Sequence, residues 1–152
     1  MNDQIKDLLD KIEEAEKEFG SSIFAQNEKT NENEIACFEK WISNYCENGF
    51  SEYVELMKLI NGLNNNGLYI YSLDKKSEYN VYEENETLWY DNEDFRDYIF
   101  FGDDSISWYC LNKKDGNYYI LDKPSGTIMD EYKLFDEVII EALKTALGTD
   151  DE

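Results

Sequence analysis

The sequence predicts an α+β fold: an antiparallel sheet meander with helices packed on one face, opened by N-terminal helices and closed by a C-terminal helix. Three observations predict it. Apolar residues recur with helical spacing up to residue 60 and again after residue 134. Between residues 98 and 130, short aromatic and β-branched runs alternate with Gly-containing turns. The chain has 152 residues, 41% of them hydrophobic, which is enough to bury a core in a single domain, 1–152. At that length folding removes roughly 68–70% of the unfolded surface from water.

The first element is an amphipathic helix over residues 3–18. Ile5, Leu8, Leu9 and Ile12 recur at i, i+3, i+4 and i+7, Ala15 and Phe19 extend the stripe, and Gly20 stops it. A polar loop runs to Thr30. Asn31 with Glu34 three residues later has the form of a capping box. It opens a second helix with Ile35, Phe38, Trp41, Ile42 and Tyr45 on its apolar face, broken at Asn48-Gly49. Ser51 is placed to cap a third helix carrying Tyr53, Val54, Leu56, Met57, Leu59 and Ile60, which ends at Asn61-Gly62. A turn-rich NGLNNNG tract leads into a short strand, Gly67 to Tyr71. Residues 77–97 mix acids and aromatics and predict a helix over about 77–89 followed by a loop. Four short strands follow, in YIFFG, ISWYCLN, NYYILD and GTIMD. Asp115-Gly116 joins the second to the third, and Lys123-Pro124-Ser125-Gly126 joins the third to the fourth. The last helix carries Phe135, Val138, Ile139, Ala142, Leu143, Ala146 and Leu147 and stops at Gly148.

Charge narrows the function. The chain has 14 basic and 35 acidic residues, a net charge of −21, no histidine, and Arg96 as its sole arginine. Such a field repels nucleic-acid phosphates and anionic lipid headgroups and speeds encounter with a basic partner. Without histidine there is no Ser-His-Asp or Cys-His nucleophile and no imidazole ligand for zinc or non-haem iron. Cys37, Cys46 and Cys110 are odd in number and lack C-x-x-C spacing, which suits buried thiols in a reducing cytosol. The first twenty residues are charged throughout and lack the apolar core of a signal peptide, and no apolar run approaches the ~20 residues of a membrane span. A cytoplasmic protein is expected.

The order of elements, with the residues at their joints, resembles the SUKH superfamily. The matching pieces are the helix ending Leu56-Met57-Lys58-Leu59-Ile60-Asn61-Gly62 and the strand entering a Gly-Asp turn, Tyr98-Ile99-Phe100-Phe101-Gly102-Asp103-Asp104. The aromatic strand Trp108-Tyr109-Cys110-Leu111, a second strand with a Gly-containing turn, and the C-terminal helix complete the match. The resemblance spans roughly residues 3–147. It implies an α+β fold without catalysis. Bacterial members are typically immunity proteins that bind and neutralise a polymorphic toxin, often a nuclease, while others are adaptor or scaffold domains. The family shares no catalytic or metal-binding residues, so the resemblance assigns none and calls for no cofactor.

Several local patterns bear on chemistry. Asp103-Asp104 offers oxygen ligands of the kind that suit magnesium or calcium, but Gly and Asp after a strand are equally the residues of a tight turn, and no EF-hand ligand pattern surrounds them. Paired carboxylates can hydrolyse glycosides without histidine, yet with so many acids such pairs arise by chance. No Walker or dinucleotide-binding glycine motif is present. The segment from Tyr79 to Tyr98 is the most distinctive. Glu83, Glu84, Glu86, Asp91, Glu93, Asp94 and Asp97 are interleaved there with Tyr82, Trp89, Tyr90 and Phe95. Either its aromatics turn inward as core beneath a solvated acidic face, or some anchor a partner whose approach the acids guide. On the strands, alternation puts Trp108 and Cys110 on one face and Tyr109 and Leu111 on the other. Helices covering only one face would leave one aromatic row partly exposed.

The expectation is a non-catalytic, immunity-type protein whose partner is a basic protein, such as the C-terminal nuclease domain of a toxin. Binding would involve Glu83, Glu84, Glu86, Trp89, Tyr90, Asp91, Glu93, Asp94, Asp103 and Asp104, with carboxylates standing in for phosphates. An adaptor or scaffold domain is the alternative, and an enzyme the third reading.

Overall fold

The computed structural model describes residues 2–47 and 50–148. The chain forms α1 (Asp3–Lys17), a 3-10 turn (Ile23–Ala25), α2 (Glu32–Ile42) and α3 (Ser51–Leu59). The hairpin of β1 (Leu63–Asn65) and β2 (Leu68–Ile70) leads to α4 (Val81–Asp91) and a second 3-10 turn (Glu93–Asp97). The strands β3 (Tyr98–Asp103), β4 (Ser107–Asn112), β5 (Tyr118–Asp122) and β6 (Ile128–Tyr132) precede α5 (Phe135–Leu147). All six strands form one antiparallel sheet in sequence order, β1 to β6. This is the expected α+β meander with N-terminal helices and a C-terminal helix.

Helix termini follow local chemistry. Asn31 accepts from the Glu34 N–H at 2.9 Å while the Glu34 carboxylate accepts from the Asn31 N–H at 3.1 Å, closing the capping box of α2. Gly148 caps α5 in the left-handed conformation. The hairpin between β1 and β2 was hidden in the Asn-rich tract: Asn66 and Gly67 both take positive φ, the geometry of a two-residue type I′ turn. Elsewhere the expectations need correction. α4 begins at Val81 rather than 77, because the Asn80 side chain accepts from the Glu83 N–H at 2.9 Å and sets the cap there. The residue capping α3 is Phe50, in left-handed backbone, not Ser51. That conformation turns the Phe50 ring onto Phe101, Tyr118 and Phe135, at 5.7, 6.0 and 5.6 Å. α2 already ends at Ile42, so Tyr45 lies beyond it, and the expected break at Asn48-Gly49 falls outside the described residues. The stripe of α1 stops at Ile12 and Glu13; Ala15 is exposed and Phe19 is 83% exposed. Leu59 on α3 is also exposed.

Strand register assigns the two faces. Ile99, Leu111, Tyr118 and Tyr132 stand in one cross-strand row, and Phe100, Cys110, Tyr119 and Glu131 in the row behind it. The first face lies under the helices. Tyr118 meets Phe135 of α5 at 5.8 Å, and α5 buries Phe135, Val138, Ile139, Ala142, Leu143 and Ala146. Each large apolar side chain so buried is worth about 1.5–3 kcal/mol. The consecutive Phe100 and Phe101 serve opposite faces by ordinary strand alternation, and a bulge between Phe100 and Gly102 leaves Phe101 without a cross-strand partner. Phe101 packs on Phe135 at 5.2 Å, whereas Phe100 meets Phe95 and Trp108 at 5.4 and 6.2 Å. Gly102 must lack a side chain, since a Cβ would stand 2.7 Å from the Tyr69 carbonyl on β2.

The second face is not left open, contrary to the expectation of an exposed aromatic row. Phe100, Trp108, Cys110, Tyr119 and Leu121 are all buried. Phe95, on the 3-10 turn after α4, lies edge-on to Trp108 at 5.0 Å. Gly126 admits the Phe95 ring so closely that a Cβ would sit 2.7 Å from it.

α4 itself docks at the sheet edge. β2 leaves β3 after Ile70, with a last bond from the Tyr71 N–H to the Phe101 carbonyl. The remainder of β3 would then present bare backbone. Asn85, fully buried in α4, takes the place of a strand: it donates to the Phe100 carbonyl at 2.8 Å and accepts from the Phe100 N–H at 2.7 Å. Four residues on, the Trp89 indole donates to the Tyr98 carbonyl at 2.8 Å. The match is geometric, because four helical residues and two strand residues both advance about 6–7 Å. Asn85→Leu would strand a buried N–H and a buried carbonyl. It should cost about 2–4 kcal/mol in urea unfolding, whereas a loss under 1 kcal/mol would contradict this role.

Candidate functional site

The residues expected to meet a partner separate into three groups. Those on the outer side of α4 are set by its docking. With Asn85 and Trp89 turned to the sheet and Tyr82 packed on Trp41 at 5.2 Å, the opposite positions face outward. Glu83, Glu86, Thr87 and Tyr90, spaced i, i+3, i+4 and i+7, line one shallow exposed surface. Tyr90 is 86% exposed. Asp91, Glu93 and Asp94 are exposed just beyond it. Arg96, the only arginine, is used locally: its Nε donates to the Trp89 carbonyl at 3.1 Å near the end of α4. An exposed aromatic ring is thus set among carboxylates on a rigid helix.

The second group turns inward. Trp89 stacks on Trp41 with centroids 5.9 Å apart and planes 12° from parallel, and Tyr45 and Lys113 close around it. Lys113 lies 5.4 Å from the Tyr45 ring centre and 5.2 Å from that of Trp89, and burial lowers its pKa. Asp104 is buried, accepting from the Tyr109 hydroxyl at 2.6 Å and the Ile106 N–H at 2.9 Å. Its backbone N–H donates to the Ser107 carbonyl. These are the bonds of a tight turn between β3 and β4, and they spend the side chain.

Glu84 and Asp103 form the third group, on a cavity of about 300 Å³ with Tyr69, Tyr71, Glu78 and Tyr79. Asp103 accepts from the Tyr71 hydroxyl and from Lys123 Nζ at 3.2 Å. Lys123 also donates to the Asp104 carbonyl at 2.9 Å and lies over the Trp108 ring. Burial first, then the Asp103 carboxylate, push the Tyr71 phenol upward. Burial and the like charge of Asp103 raise the Glu84 carboxyl as well, against the pull of Lys123. Such a cavity favours a cationic group. The tyrosines were not foreseen as its lining: Tyr69 and Tyr71 come from the strand after the NNG turn, and only the register of β2 against β3 brings them beside Asp103. Among the described residues, no group of three or more cysteines and acids is arranged to hold a metal ion.

A pH dependence follows from Glu84. Its folded pKa is raised above the ordinary 4.5, so the folded state holds this proton more tightly than the unfolded chain. Stability from this group is therefore lost as pH climbs through 4.5 toward the folded pKa, and the loss persists above it. Glu84→Gln should flatten that part of the Tm profile above pH 4.5 and raise Tm at neutral pH. An unchanged slope would contradict the assignment.

No family model and no curated protein matches the sequence. Among solved structures, a protein from Pseudomonas syringae pv. tomato is similar, with a TM-score of 0.56 and 16% identity over 84% of this chain and 89% of that one. At that identity the likeness shows a shared fold.

Proposed function

We propose that this chain is a non-catalytic protein of immunity type. It binds a basic partner, the C-terminal nuclease domain of a toxin in the cytoplasm, and blocks the surface on which that enzyme holds its phosphates. The observation that carries this reading is Tyr90, 86% exposed on the face of α4 that also bears Glu83 and Glu86. A large aromatic left in water on a helix held from behind is a preorganised anchor, and burying it against a partner supplies the desolvated centre an interface needs. The surrounding carboxylates, within a chain of net charge −21, attract a basic groove and repel phosphate-bearing competitors. No helix among the described residues is long and apolar enough to cross a membrane, which agrees with a protein that meets its partner in solution. The order of elements that resembles the SUKH superfamily supports the same reading.

The test uses a toxin nuclease domain, which this reading expects to be encoded beside this chain. Tyr90→Ala should raise Kd by about 30-fold. The double variant Glu83→Lys, Glu86→Lys should slow association by about tenfold or more at low salt, with a shrinking difference as salt rises. Tyr90→Ala should retain the parent Tm, and the double variant should lose only a few degrees, because Glu83 lies in the first turn of α4, where a carboxylate favours the helix N-terminus. Full neutralisation of the nuclease by a triple variant would overturn the reading.

A further inference from the structure

The sheet has three stretches of open edge, and the fold closes two of them with an amide side chain. At β1, Gln26 donates to the Asn64 carbonyl at 2.7 Å and accepts from the Asn64 N–H at 3.0 Å. At β3, Asn85 does the same for Phe100 at 2.8 and 2.7 Å. β6, at the other end of the sheet, pairs only with β5. Among the described residues, no side chain bonds its backbone. Its guards are a short length, a bulge and two carboxylates, Asp130 and Glu131. Ile128–Tyr132 contains neither lysine nor proline, and it exposes Ile128 (53%) and Met129 (48%). A bulge at Met129 is the one interruption of the ladder, since Asp130 pairs with Ile120 and Ile128 with Leu121.

The charge on this edge selects what can pair with it. Asp130 lies across from Ile120 and Glu131 across from Tyr119, so the two acids stand on opposite faces of the sheet. A second copy of the chain is rejected. The one antiparallel register of β6 with itself that overlaps the whole strand sets Asp130 opposite Asp130, and like charges in direct cross-strand pairs are destabilising. An incoming strand with two successive basic residues places one against each acid. Two apolar residues following them would cover Met129 and Ile128 in an antiparallel register.

We propose that the outer edge of β6 receives an extended basic segment of a partner protein as an added strand, read as two basic residues followed by two apolar ones. Main-chain bonds to the open ladder would hold the segment, and Asp130 and Glu131 would fix its register and exclude acidic sequences. This does not rest on the role given to the outer face of α4, since the edge can be assayed by itself.

The test is amide hydrogen exchange of the full chain with a synthetic peptide containing Thr-Lys-Arg-Val-Val-Thr, compared with one containing Thr-Glu-Glu-Val-Val-Thr. At about ten times its Kd, the basic peptide should slow exchange of amides within Ile128–Tyr132 about tenfold, and the acidic peptide should not. Glu131→Lys should weaken the basic peptide by about fivefold. No slowing with millimolar peptide would overturn the proposal, as would equal slowing by both peptides or protection confined to α4. Protection that grows with protein concentration in the absence of peptide would overturn it in favour of self-pairing.

Discussion

The paired hydrogen bonds between Asn85 and the backbone of Phe100, at 2.7 and 2.8 Å, are the constraint on which the placement of α4 and its outer face depends. They solve a problem the topology creates. β2 is only three residues long and abandons β3 halfway, leaving polar backbone in what must become the core. A buried amide offers both a donor and an acceptor, so one side chain replaces one strand residue. Once Asn85 is fixed, the register of α4 is fixed with it. Trp89 falls on Tyr98 and Tyr82 falls on α2. Phe95 is then delivered to the far face of the sheet, where it seals Phe100 and Trp108.

The same constraint determines what α4 shows to solvent. A helix with Tyr82, Asn85 and Trp89 inward has Glu83, Glu86, Thr87 and Tyr90 outward, and no rotation about its axis can exchange the two sets without breaking the bonds to β3. An exposed tyrosine on such a helix loses little conformational freedom when it is buried by a partner, which is the condition for an effective anchor. The acids around it belong to a surface whose overall charge reaches −21 and whose cations are partly spent on internal tasks. Lys123 holds Asp103 and the Asp104 carbonyl, Lys113 is set between Tyr45 and Trp89, and Arg96 bonds the Trp89 carbonyl.

Much of the scaffold was legible in the sequence because its signals are local. The stripe of α1 through Ile12, the capping box at Asn31 and Glu34, the turns at Asp115-Gly116 and Lys123 to Gly126, and the whole apolar face of α5 require only neighbours a few residues apart. What was missed depends on contacts distant in sequence. The β1–β2 hairpin hides in an Asn-rich tract that reads as loop, because β1 keeps only Leu63 and Asn65 buried. Phe19 has the spacing of a core residue but nothing to pack on. Within 77–97, the exposure of the acids could be inferred from the cost of burying them. The division among Trp89 inward, Tyr90 outward and Glu84 toward Asp103 could not, since it follows from the pairing of Asn85 with a residue fifteen positions away. A helical wheel placing Asn85 in the stripe of Tyr82 and Trp89 held the one available clue, a polar residue in an apolar row.

The most direct measurement is the hydrogen-exchange footprint of the proposed partner, a toxin nuclease domain, on this chain, recorded at low and high salt. Protection centred on the outer face of α4, from Glu83 through Tyr90 into Glu93 and Asp94, is expected, with occupancy falling as salt rises. A footprint that leaves α4 unchanged, or one insensitive to salt, would contradict an interface built on an exposed aromatic and its carboxylates.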